Sequence, residues 1–193
     1  MPFDSATDTP GVTGLILAGG AGRRVNRRDK GLIPWRGEPL VAHVCRRIRP
    51  QVGKLIISCN RNEPVYRNYT KNIVRDIRGS YQGPLAGIEA ALDLTTSPHL
   101  LVVGCDMPLL PVDLVTRLYT ALDSNSTLDA CFAHDGERSQ YLCALIRNNS
   151  LRSLKPFLDS GERTVHHWYR RMNTVGVDFS DCPEAFSNLN RLT

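Results

Sequence analysis

Two short segments combine residue types that could handle a phosphorylated ligand. The first runs Leu17-Ala18-Gly19-Gly20-Ala21-Gly22-Arg23-Arg24 and continues to Asp29-Lys30-Gly31-Leu32. Glycines directly after an apolar run let backbone N–H groups approach an anion closely, and Arg24 and Lys30 supply charge-assisted donors for phosphate oxygens. The segment is not a Walker A loop, because no Gly-Lys-Ser/Thr follows at the required spacing. It is not a dinucleotide fingerprint either, because Val25 stands where the third glycine belongs. Lys30 lies so far along that the segment must fold back if Lys30 is to reach the same ligand. Read alone, the glycines also suit a tight strand-to-helix turn that binds nothing.

The second segment is Gly104-Cys105-Asp106-Met107-Pro108, directly after the apolar run Leu100 to Val103. Ligands of open α/β sheets collect at the carboxyl ends of strands, and a carboxylate there can hold Mg²⁺ over bound phosphates. An Asp that merely turns the chain before Pro108 is the plain alternative. Asp76, after Ile73-Val74-Arg75, could point into the same crevice or pair with Arg75 or Arg78. Gly83-Pro84-Leu85-Ala86-Gly87 opens a helix whose first N–H groups are free for an anion. His166 and His167 are sequence neighbours that a helix points about 100° apart, a poor metal pair. No G-x-S-x-G elbow and no catalytic Cys–His signature occurs.

The elements that must position these residues alternate along the chain. Residues 14–18, 55–59 and 100–105 are apolar runs of strand length, as expected for strands buried on both faces of a parallel sheet. Residues 130–134, 141–146 and 174–179 are further strand candidates. Helical spacing occupies 39–48, 85–94 and 112–122, with shorter helical stretches at 151–158 and 164–172. Strand–helix alternation through the first 120 residues implies right-handed βαβ units. The closer strands around Asp135-Gly136 imply an antiparallel edge. The expected architecture is a single α/β domain over 1–193, in three layers, with a mostly parallel sheet and a flexible segment at 1–12.

Composition narrows the function classes. The chain has 193 residues, 41% of them apolar and 22% charged, ordinary values for a folded domain with one sizeable core. No stretch approaches the ~18 apolar residues of a membrane span, and residues 1–10 lack the basic and apolar regions of a signal peptide. A cytoplasmic protein with no membrane partner is expected. The net charge is +5, and residues 23–49 carry more than all of it, with nine basic residues against Asp29 and Glu38. That charge lies beside a glycine loop rather than along a helix face, and the scattered aromatics form no base-stacking platform. A nucleic-acid partner is therefore the remote reading. Six cysteines without C-x-x-C or zinc spacing read as structural thiols.

Taken together, the glycine loop with Arg23-Arg24, Asp29-Lys30-Gly31-Leu32 and Gly37-Glu38-Pro39-Leu40 resembles the opening signature of the molybdenum cofactor guanylyltransferases. These belong to a family of nucleotidyltransferases with a Rossmann-like three-layer fold. The resemblance continues through residues 83–87 and 105–108, the segment His134-Asp135-Gly136-Glu137-Arg138, the segment Ser160-Gly161-Glu162-Arg163, and Asn188 and Asn190 near the end. It implies transfer of GMP from GTP to molybdopterin with release of pyrophosphate. It also implies Mg²⁺ as cofactor and transient contact with cofactor-biosynthesis or molybdoenzyme-maturation proteins.

By this resemblance Leu17, Ala18, Gly19, Lys30, Ser58, Asp76 and Asp106 bind GTP, and Asp106 also holds the metal. Arg24, Lys30 and Asp106 carry the chemistry, while Asn188 and Asn190 lie toward the pterin. Three departures stand out. Val25-Asn26 replaces a Met-Gly pair, Tyr141 replaces a frequent Pro, and Ser58 stands where an Asn is expected, with Asn60 close by. A cytidylyl- or sugar-phosphate-directed enzyme of the same fold shares residues 14–40 and remains the alternative.

Overall fold

The computed structural model describes residues 11–20, 28–79, 82–187 and 189. In chain order the elements are β1 (Val12–Leu17), a hairpin of β2 (Pro34–Trp35) and β3 (Glu38–Pro39), α1 (Leu40–Ile48), β4 (Lys54–Ser58), α2 (Glu63–Tyr66), β5 (Asn72–Val74) and α3 (Pro84–Ala91). There follow β6 (His99–Gly104), α4 (Leu114–Asp123), β7 (Ala130–His134), β8 (Ser139–Arg147), α5 (Leu154–Asp159), α6 (Val165–Tyr169) and β9 (Thr174–Asp178).

Seven of the strands form one sheet in the order β5-β4-β1-β6-β8-β7-β9. Pairing is parallel from β5 through β6, and β9 runs parallel to β7. The apolar runs explain the central strands, because their residues must be hydrophobic towards both faces. Ile16, Ile57, Leu101 and Val103 pack under α1 and α4. Leu15, Ile56, Leu100 and Val102 pack under α3, α5 and α6. The helices meet these faces through their own periodicity. Leu40, Val41, Val44 and Ile48 make one buried stripe along α1, and Arg46 and Arg47 sit in its last turn, where the helix dipole favours cations. The described residues thus form the expected three-layer unit.

Register is what matters for the cleft. Leu17 lies opposite Ser58 on one side and Gly104 on the other, and Ser58 lies opposite Val74. Four parallel strands therefore end along one line, and the loops that leave them open onto the same side.

Several expectations are sharpened or corrected. The antiparallel strand is present, but it is β8, held inside the sheet between β6 and β7, and the edge strand β9 is parallel to its neighbour. The flexible segment expected at 1–12 does not hold at its far end: Val12 is buried in β1 and the Gly11 carbonyl accepts the His99 amide at 3.1 Å, while residues 1–10 lie outside the described ones. The helical stretch at 151–158 is a 3₁₀ helix over 148–153 leading into α5, and that at 164–172 shortens to α6. The β2–β3 hairpin and α2 lie where no element was read. Among the described residues, no helix is long and apolar enough to cross a membrane.

Trp168 seals α6 onto the sheet: it is fully buried, and its Nε1 donates to Ser153 Oγ at 3.0 Å. Trp168→Ala leaves a large cavity and should cost about 3–5 kcal/mol of unfolding free energy, read from urea denaturation.

Candidate active site

A cleft of about 410 Å³ opens at the carboxyl ends of β1, β4 and β6. Of the residues expected to bind a nucleotide, Leu17, Ala18, Gly19, Lys30, Ser58, Asp76 and Asp106 all line it. Arg24, Asn188 and Asn190 lie outside the described residues. Between the two asparagines, the Leu189 amide donates to the Asp106 carbonyl at 3.1 Å, which ties Leu189 to the segment that carries Asp106.

The chain folds back as Lys30 requires. Lys30 starts a short 3₁₀ turn and its Nζ forms an ion pair with the Asp106 carboxylate, across 76 residues of sequence. The lysine side chain is 26% exposed and the aspartate 14%, so the pair sits in the cleft rather than on open surface. Asp106 curls back over the end of β6. A Cβ on Gly104 would lie 2.6 Å from Asp106 Oδ1, so only glycine leaves room for the carboxylate there.

The opposite wall is the start of α3. Gly83, with φ of +89°, and Pro84 turn the helix so that its N-terminal end faces the cleft, where the helix dipole favours an anion. Gly87 brings this helix against the strands, since a Cβ would lie 2.7 Å from Ser58 Oγ and 2.8 Å from Leu17 Cδ2. Ser58 Oγ is buried, faces the cleft, and has no hydrogen-bond partner among the described residues. A buried hydroxyl left so is expensive unless a ligand satisfies it.

Ser58 and Asn60, the two residues near the position where an asparagine is expected, stand differently toward the cleft. Ser58 lines the cleft. Asn60 braces it: its Nδ2 donates to the Gly19 carbonyl at 3.0 Å and to Asp76 Oδ2 at 2.8 Å, and its Oδ1 accepts the Asp76 amide at 3.1 Å. The glycine loop and Asp76 are therefore fixed relative to each other. Arg75 and Arg78 have partners of their own. Arg75 pairs with Glu63 at 2.6 Å. Arg78 grips the buried Glu89 of α3 with two bonds of 2.6 and 2.7 Å, and reaches Asp159 of α5 at 2.6 Å. This staple anchors the loop carrying Asp76, and sequence reading missed it because Glu89 lies on the next helix and Asp159 far along the chain.

Most of the described basic residues lie away from the cleft. Among the described residues of 28–49, Lys30 alone lines the cleft. Arg46 pairs with Glu38 at 2.5 Å, Arg36 stacks 4.3 Å from the Trp35 ring, and Arg49 donates to the Tyr69 carbonyl. These contacts support the hairpin and α1.

Metal ligation follows the same economy. Among the described residues, no group of three or more His, Cys, Asp or Glu could hold an ion. A hard cation sharing one carboxylate with substrate phosphates fits Asp106; a zinc-type cage does not. The rings of His166 and His167 pack 4.3 Å apart, and His167 meets Glu162 at 3.4 Å. All six cysteines are free. Cys105 lines the cleft, but burial first and the adjacent Asp106 charge second push its thiol well above the usual range, which disfavours the thiolate a nucleophile needs.

The family model of the MobA-like NTP transferase domain matches residues 14–175. The chain belongs to this family. It is 41% identical over 179 residues to a molybdenum cofactor guanylyltransferase of Shewanella sediminis, covering 93% of this chain and 91% of that protein. A protein of the same name from Shewanella loihica is 41% identical over 182 residues, with 94% and 92% covered. The fold is shared with the molybdopterin-guanine dinucleotide biosynthesis protein A of Archaeoglobus fulgidus, at a TM-score of 0.74 and 21% identity over 92% of each chain. It is shared too with the 4-diphosphocytidyl-2C-methyl-D-erythritol synthase of Anaerococcus prevotii, at a TM-score of 0.67 and 12% identity, with 94% of this chain and 93% of that one covered. The resemblance read from the motifs and the nucleotidyltransferase assignment are thereby borne out.

Two outcomes test the geometry of this NTP transferase. Gly104→Ala should leave the fold intact and lower nucleotidyl transfer roughly 100-fold, because the Asp106 carboxylate must move by a substantial fraction of an ångström or more. Arg78→Ala should lower the melting temperature several times more than Arg46→Ala, because it strands the buried Glu89 whereas Glu38 is half exposed. Equal shifts in calorimetry would contradict the staple.

Proposed function

We propose that this cleft transfers GMP from GTP to molybdopterin, forming a guanine dinucleotide and pyrophosphate. The observation that carries the reading is the meeting of Lys30 and Asp106 between a glycine loop and a helix N-terminus. One cation, one carboxylate that can share a hard metal ion, and the positive end of a helix are parts suited to holding a triphosphate.

The nucleophile is the phosphate monoester of molybdopterin, already an anion at neutral pH, so no general base is required. Its oxygen forms a bond to the α-phosphorus while the bond from that phosphorus to the α,β-bridging oxygen breaks, and pyrophosphate leaves with the electron pair. Two anions must be brought together, so the chain's contribution is positioning and charge neutralisation. The backbone of 17–19 and the start of α3 border the nucleotide. Lys30 exchanges Asp106 for phosphate oxygens, and Arg24 is assigned to the same group. Ser58 Oγ and Asp76 make the further polar contacts to GTP, and Asn188 and Asn190 are assigned to the pterin side. Mg²⁺, held by Asp106 together with phosphate oxygens, would neutralise triphosphate charge. The free thiols suit a reducing compartment, and we assign the reaction to the cytoplasm, with transient hand-over to proteins that mature the cofactor or its acceptor enzymes.

Pyrophosphate release in the presence of Mg²⁺ and molybdopterin, compared for GTP, CTP and ATP, tests this. Release with GTP is expected, falling by about 10²-fold or more in Lys30→Ala and Asp106→Ala. Release with CTP alone would overturn the guanylyl assignment, and full activity in either variant would remove the roles given to these residues.

A further inference from the structure

Asp29 immediately precedes Lys30 but takes a different course. It is buried, does not line the cleft, and is surrounded by donors from the approach to α2 and from α2 itself. Tyr66 Oη donates to Asp29 Oδ1 at 2.5 Å, and Asn62 Nδ2 donates to Oδ2 at 2.9 Å. The Arg61 guanidinium lies 3.8 Å away. Asn62 aims its amide from a left-handed backbone position, φ +53°, which Asn adopts more readily than most residues.

Tyr66 is the centre of this group. Its ring is fully buried, so packing alone would be served by a Phe. The hydroxyl instead lies inside the turn made by residues 29–31: a Cβ on Gly31 would come within 2.5 Å of Oη. The chain thus wraps the hydroxyl, with Asp29 bonded to it and Gly31 pressed against it, while Lys30 between them reaches Asp106. Burial above all, then the neighbouring Cys105 and the bond to Asp29, hold the phenol protonated, so it remains a donor. A buried carboxylate is tolerated only when hydrogen-bonded. That makes the path of this turn depend on Tyr66 and Asn62.

We propose that Tyr66 and Asn62, acting through Asp29, are positioning residues for Lys30: the buried hydroxyl–carboxylate bond fixes the turn whose next residue delivers its ammonium to the nucleotide phosphates. This rests on the reading of the cleft as a GTP site. A lysine on a four-carbon stem follows a small backbone shift in part, so the expected loss is smaller than that of deleting Lys30.

The test is a double-mutant cycle supported by a measurement that needs no activity. Tyr66→Phe keeps the ring and should lower kcat about 10-fold. In the Lys30→Ala background the same change should have no further effect, because residues acting through one group are not additive. An undiminished Tyr66→Phe loss in that background would overturn the proposal. Independently, ¹³C-methylated lysine NMR of the nucleotide-free protein, with the Lys30 signal assigned by its loss in Lys30→Ala, should show that signal move in Tyr66→Phe while those of Lys54, Lys71 and Lys155 stay. An unmoved Lys30 signal would also overturn it. If the wild-type chain transfers no nucleotide, the proposed function falls and the NMR arm still decides the positioning. Should Tyr66→Phe fail to fold, Asn62→Gly removes one donor and keeps the backbone angle, and the same two readouts apply to it.

Discussion

The site depends on parallel strands ending in register. Val74, Ser58, Leu17 and Gly104 form one row across β5, β4, β1 and β6. Two residues beyond each of them stand Asp76, Asn60, Gly19 and Asp106. Parallel pairing sets all four chain ends pointing the same way, and a shift by one residue would send alternate side chains to the opposite face. The cleft residues are far apart in sequence, yet their spacing across the sheet is set by backbone hydrogen bonds before any ligand is present.

That register leaves a problem of like charges, which the loops solve. Asp76 and Asp106 both face the cleft, while the ligand is itself highly anionic. Lys30 is brought across to Asp106, and the α3 N-terminus supplies partial positive charge without a further side chain. Glycines at 87 and 104 set how closely these pieces meet, since a methyl group at either position would collide with Ser58 or Asp106. Electrostatics and packing therefore act on the same few atoms. The basic excess of 23–49 is a different matter: beyond Lys30, the described part of it supports the hairpin and α1, and Arg46 faces Glu38 rather than a ligand.

What the sequence disclosed follows from this division. The buried strands β1, β4 and β6 were legible because a strand covered on both faces must be apolar throughout. Helices α1 and α3 were legible because a proline stands just before or at the start of each and each carries an apolar pattern. Lys30 and Asp106 stood out because each follows one of those strands in a glycine-containing segment. The four-residue α2 was not legible, being too short for periodicity, and it holds Tyr66. The interior place of β8 was hidden for a related reason. Its start, Ser139 to Leu142, is half-buried and reads like an edge, and only pairing with β6 on its other side places it within the sheet.

Four acidic residues show why local sequence could not assign roles. Asp29 and Glu89 are buried and each is held by donors from elsewhere in the chain, Tyr66 with Asn62 and Arg78 respectively. Asp76 and Asp106 border the cleft. Nothing in the residue type separates the two pairs, and Asp29 even adjoins the key lysine. Between Asp29 and Asp106 the difference is where the carboxylate's partners come from; Asp76, braced by Asn60 at the cleft border, stands between the two cases. A carboxylate with fixed neutral or cationic donors inside the fold spends its charge on holding a loop. A carboxylate whose cationic partner is a flexible lysine at the mouth of a cleft can release that partner to an incoming phosphate and accept a cation in exchange. Under the proposed function, Asp106 suits the chemistry because its ion pair with a lysine can be exchanged, and Asp29 suits support of the turn because its hydrogen bonds are buried.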